Sequence, residues 1–192
     1  MRAHDKDGQK RGLRICTKLA FGILGGSTES MNIIPSFQKN GELPQGRYLA
    51  TSTEFESRFV DTFPLSLTRR RLFDGWATRR QRMSELVRIE YEWIDGSFVT
   101  GKRDPNDIDL VTFIDANTFE ALDQADREKL TALAQGAYPR VEFSCDCYLV
   151  LISPEGHSDH ITYLVNRGYW DHFWSRNRDK NQKGYIMIGG EE

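Results

Sequence analysis

The chain has 192 residues, 28% charged and 39% hydrophobic, with a formal charge of −2 from 26 basic and 28 acidic side chains. This composition fits a single globular domain and excludes a fibrous, a broadly disordered or a bulk polyanion-binding protein. Three cysteines are too few for a disulfide framework, and the longest apolar stretch, Leu19 to Leu24, falls far short of the ~20 residues of a membrane span.

The apolar stretch follows a basic segment, as a secretory leader would, but lacks a good small-residue cleavage site. A soluble cytoplasmic protein is the expectation. Residues 1–30 carry six Lys/Arg against three Asp/Glu, and the rest carries 20 against 25. The first segment shows no sustained helical or strand period and is expected to be a poorly ordered extension, with Met31 an alternative start. Residues 31–192 are expected to form the folded domain.

Pro35, Gly41, Pro44 and Gly46 make the next stretch turn-rich. Thr53 followed by Glu56 has capping-box spacing and predicts a helix beginning near Glu54, with Phe55, Phe59 and Phe63 on one face and Pro64 ending it. Leu65 to Val87 reads as a second helix, with Leu72, Trp76, Met83 and Leu86 on its apolar stripe and Gly75 weakening its middle. Seven arginines lie between Arg69 and Arg88, expected mostly on the solvated face and paired with Asp74, Glu85 and Glu90. An extended run follows from Ile89 to Ile94, then a loop from Thr100 to Asn106 and a buried strand from Ile108 to Ile114. A helix is expected from Asn117 or Thr118 to about Gln135. Arg140 to Ile152 alternates as one long strand, with Asp146 and Glu142 sharing a face. A helix from His160 to Trp174 and a short strand from Tyr185 to Ile188 complete the chain. Strands alternate with helices, so a small mixed α/β or α+β domain follows, with a short mixed sheet and helices mainly on one side.

The chemistry concentrates between Trp93 and Leu110. Gly96-Ser97 directly after a strand offers an unhindered turn, free backbone N–H groups and a hydroxyl, the parts of an anion cradle. Asp107 and Asp109 stand two apart at the start of a strand, so both carboxylates face one way. Like charges held so close repel unless a cation neutralises them, and Mg²⁺ (or Mn²⁺) with substrate phosphates does so. Taken alone, the Asp-x-Asp pair is equally a solvated strand end.

Ile94-Asp95, then Gly96-Ser97, nine intervening residues and Asp107-Ile108-Asp109-Leu110 resemble the signature of the nucleotidyltransferase superfamily typified by DNA polymerase β. Asp95 departs from the pattern, where an apolar residue is more usual. The resemblance covers roughly residues 88–152 and looks like the small bacterial members. It implies a nucleotidyltransferase fold and a third carboxylate on a later strand, matched by Asp146 with Glu142 as runner-up. It implies that Asp107, Asp109 and Asp146 are the catalytic metal ligands, and that Gly96, Ser97 and Lys102 bind the nucleotide phosphates. The activity implied is transfer of a nucleoside monophosphate from an NTP such as ATP to a hydroxyl on a protein, an RNA 3′ end or a small molecule. A chain of this size leaves little room for a template-binding domain. The rival expectation is a nucleotide-binding module without turnover, one partner of a toxin–antitoxin or phage-defence pair from one operon.

Other candidates are weaker. Cys145 and Cys147 read as core rather than a metal half-site, and His157 and His160 complete no ligand set. Trp170, Phe173 and Trp174 read as packing or as a stacking platform for a base. Arg176, Arg178, Lys180 and Lys183 form a basic stretch that reads as solvated or as a triphosphate or acceptor contact.

Overall fold

A computed structural model describes residues 34–190. Residues 1–33, and with them the expected extension and its boundary, lie outside the described residues. Five strands form one sheet in the order β1-β5-β2-β3-β4: β1 is Gly46–Ala50, β2 Ile89–Asp95, β3 Ile108–Asp115, β4 Cys145–Ile152 and β5 Gly184–Gly189. The outer pairs β1–β5 and β3–β4 are parallel, while β2 runs antiparallel to both its neighbours.

The two sheet faces differ. Ile94, Leu110, Ile114, Cys147 and Ile186 point into the larger core, packed by α1 (Ser52–Glu56), α2 (Arg69–Ser84), α4 (Gln124–Ala134) and α5 (Ala137–Phe143). Trp93, Val111, Phe113, Val150 and Tyr185 point the opposite way into a smaller core closed by Trp174 of α6 (His160–Trp174). The short α3 (Ala116–Ala121) follows β3. Helices therefore sit mainly on one side of a mixed sheet, as the sequence pattern predicts.

Local chemistry accounts for most boundaries and corrects several. The first helix is capped by Thr51, not Thr53: Thr51 and Glu54 form the reciprocal box. Both pairs have the same spacing, and Phe55 and Phe59 downstream of the cap lie in the core. Helix α2 spans less than the expected Leu65 to Val87. Gly75 in its middle is there for proximity, since a Cβ would lie 2.4 Å from the Phe143 carbonyl oxygen. The helix expected from residue 117 to 135 is two helices, capped by Asp115 and Asp123.

The long strand expected from Arg140 is a correction of more weight. Residues Ala137–Phe143 are helical, Pro139 falls in the first turn where no N–H is missed, and Ser144 turns the chain with φ of 56°. Glu142 therefore lies on an exposed helix and Val141 is 82% exposed, so Glu142 is no alternative to Asp146. The strand β1 was hidden by the turn residues around it.

The arginine run follows expectation in part. Arg70, Arg71, Arg82 and Arg88 are exposed, with Arg70 near Asp74 and Arg88 near Glu90, but Arg69, Arg79 and Arg80 are buried, and Glu92 is the partner of the last two. Glu92 accepts from Arg79, Arg80, Thr112 and the Trp76 indole, so both of its oxygens are doubly bonded. Burial works to raise its carboxyl, but the two guanidinium groups outweigh it and hold it below the usual carboxylate range.

Candidate active site

The sheet register assembles the site. Asp95 pairs with Asp109 across β2 and β3, and Asp109 pairs with Asp146 across β3 and β4. Paired residues project from the same face, so three carboxylates form a row on the α6 side of the sheet, one strand apart. Asp107 precedes β3 by one residue and falls on the same side by its period of two.

Cationic partners are unevenly shared along the row. Among the described residues only the two outer carboxylates have cationic partners: Asp95 bonds to Lys183, and Asp146 to Arg140. Asp109 lies between them. Burial, then the charges of Asp107, Asp95 and Asp146, push its carboxyl up to about 6. Burial likewise raises Asp95 to about 6, against the pull of Lys183. No group of three His, Cys, Asp or Glu side chains among the described residues forms a ready-made metal cage. The row offers hard carboxylate oxygens, the donor type that suits Mg²⁺ or Mn²⁺.

The Gly96-Ser97 turn stands against this row. Gly96 has φ of 74°, and a Cβ there would lie 1.7 Å from an Asp109 carboxylate oxygen. Only glycine permits both the turn and the approach. Ser97 opens a single 3₁₀ turn, Ser97–Val99, anchored by buried Phe98 and Val99. Its carbonyl accepts from the Thr100 hydroxyl, while its side chain stays half-buried beside the row.

Arg69 fixes the loop between Gly96-Ser97 and Asp107. All five of its N–H donors are used: one each to the carbonyls of Phe59, Phe98, Thr100, Lys102 and Arg103. Burial lowers it to about 10, and nearby Asp104 partly opposes this. The side chain of Lys102 is exposed, and its carbonyl is what the structure uses.

Sequence reasoning missed Arg69 and Arg140 as parts of this site and named Lys183 only within a basic stretch. A signal existed for the first. Arg69, Leu72, Trp76, Arg79 and Met83 share a spacing of three and four, which puts both arginines on the buried stripe. Lys183 belongs to the flagged basic stretch, whereas Arg178 and Lys180 are exposed. The remaining candidates are structural or peripheral. Cys145 and Cys147 are buried core residues, His160 bonds to the Ser153 carbonyl, and His157 lies 3.4 Å from Glu120. Trp174 is buried, but Phe173 is 55% exposed and stacks on Tyr169.

A family model described as a family of unknown function, DUF6932, matches residues 35–189. No curated protein and no solved structure matches the chain.

Proposed function

The chain belongs to that family, DUF6932, and because the family's description carries no activity, we propose one from the site: metal-dependent nucleotidyl transfer from an NTP to a hydroxyl. The single observation that carries this is the placement of Gly96 against Asp109 in a row where Asp109 is in register with Asp146. A glycine turn suited to phosphate beside a row of carboxylates supports phosphoryl chemistry on a triphosphate better than any other reaction.

Asp107, Asp109 and Asp146 would hold Mg²⁺, which when bound neutralises triphosphate charge and lowers the barrier to deprotonating the acceptor hydroxyl. The backbone N–H groups at Gly96-Ser97 and the Ser97 hydroxyl orient the β and γ phosphates. Arg69 holds that loop still by its carbonyls. In the overall step the acceptor oxygen bonds to the α-phosphorus, the bond to the bridging oxygen breaks, pyrophosphate leaves, and the hydroxyl proton passes to solvent. Asp95, tied to Lys183, stands at the edge of the row as a fixed charge rather than as a ligand.

Nucleotide binding without turnover is the rival function, favoured by one observation: Arg140 already neutralises Asp146. Incubation with NTPs labelled at the α-phosphate, in Mg²⁺ or Mn²⁺ and with cell lysate as acceptor source, tests the two. The enzyme labels an acceptor and releases pyrophosphate, and Asp109→Asn does neither. Tight NTP binding with no label transferred under any metal or acceptor would leave the binding module standing.

A further inference from the structure

On the same sheet face, one strand beyond the Asp95–Lys183 pair, a cavity of about 390 Å³ opens between β1, β5 and the C-terminal half of α6. Two guanidinium groups line it, Arg47 from β1 and Arg176 from just past α6. The amides of Gln45 and Gln182 line it as well.

Both arginines are held in place with donors to spare. Arg47 lies over the Trp93 ring, 5.1 Å from its centroid, and its nearest carboxylate, Asp171, is 3.9 Å away. Asp171 is the one carboxylate in the lining, and it already accepts from the Tyr185 hydroxyl. Arg176 uses a single nitrogen, Nη1, for the His172 ring, the His172 carbonyl and the Ser175 hydroxyl. That cap keeps the guanidinium at a helix end whose own partial charge is negative. Its other two nitrogens have no protein acceptor among the described residues. A guanidinium carries five N–H donors in a rigid fork shaped for oxyanions. Two forks reaching in from different elements, with two amides beside them, exceed what the two oxygens of one carboxylate can accept. They match the three or more oxygens of a phosphate.

We infer that this cavity is a second, metal-independent site for a phosphate-bearing ligand, recognised by Arg47 and Arg176. The site does not depend on nucleotidyl transfer at the carboxylate row. It stands on its own guanidinium groups and would serve any reaction whose second substrate carries a phosphate.

Phosphorus NMR titration of inorganic phosphate with the full chain, in EDTA at constant ionic strength, tests it. Wild type should bind phosphate and not acetate. Arg47→Gln and Arg176→Gln should each weaken binding at least tenfold, and Asp109→Asn should leave it unchanged. Should Arg47→Gln fail to fold, Arg47→Lys keeps the charge and stem but loses the fork, and should still bind at least threefold more weakly. No phosphate binding by wild type, or equal binding of acetate, would overturn the inference. So would an Arg176→Gln protein that melts lower yet binds phosphate as before, since the guanidinium would then be a helix cap alone. If phosphate binds here while the Mg²⁺–NTP site proves absent, the cavity stands and nucleotidyl transfer falls.

Discussion

Asp109 is partly withdrawn from water and faces three other carboxylates, so its carboxyl is pushed up to about 6. The unfolded value is near ~4. Between those two values the folded chain binds more protons than the unfolded one, so stability falls as pH rises through that window. Above it the cost is fully present. Asp95, also raised to about 6 by burial, contributes with the same sign. In metal-free buffer the protein should therefore melt lower at pH 8 than at pH 5. Asp109→Asn should remove part of that slope and raise stability at pH 8 by on the order of 1–2 kcal/mol. Differential scanning calorimetry across that range checks it. A large drop in melting temperature would mean that Asp109 has a structural partner. Asp146 lies in register with Asp109, and the proposed reaction gives it a different task, serving the acceptor rather than holding the NTP. Asp146→Asn should lower the transfer rate about a hundredfold or more while Mg²⁺–NTP affinity changes only modestly. Equal losses in rate and affinity would make it a binding residue instead.

Among the elements, the loop after Gly96-Ser97 owes its shape to one side chain from α2. Arg69 donates to five carbonyls, those of Phe59 and Phe98 in buried bonds and those of Thr100, Lys102 and Arg103 in part-buried ones. Arg69→Lys keeps the charge but offers three donors without the planar fork. It should destabilise the fold by about 3 kcal/mol or more and weaken nucleotide binding as the cradle loosens. Denaturant melts and a binding isotherm on the same variant check both halves. Wild-type stability would show that water replaces the guanidinium. Elements whose pattern and local chemistry agree were legible in the sequence: β2, β3 and α6 fall almost where periodicity places them. The segment from Arg140 was not, because the alternation of Val141, Phe143, Cys145 and Cys147 continues across a helix–strand junction. Only the αL turn at Ser144 breaks it, and a serine does not announce that conformation. The buried arginines were misread for a related reason. Charge suggests solvent, and their burial rests on distant partners, Glu92 for Arg79 and Arg80 and backbone carbonyls for Arg69.

At the scale of the whole molecule, the order β1-β5-β2-β3-β4 sets Asp95, Asp109 and Asp146 side by side. The Asp-x-Asp pair and Gly96-Ser97 stood out in the sequence by their spacing, and Asp146 through the family resemblance. Their partners Lys183 and Arg140 did not, because each depends on where a separate element returns to the sheet. The same face carries the carboxylate row at one end and the Arg47–Arg176 cavity across Lys183. α6 closes the apolar patch between them. The central claim is that the row is a metal–triphosphate site, and titration calorimetry of NTP with and without Mg²⁺ tests it most directly. Wild type should bind NTP, bind it more tightly with Mg²⁺, and lose that gain when Asp107→Ala and Asp109→Ala are combined. NTP affinity that is indifferent to Mg²⁺, or equal in the double variant, would contradict it.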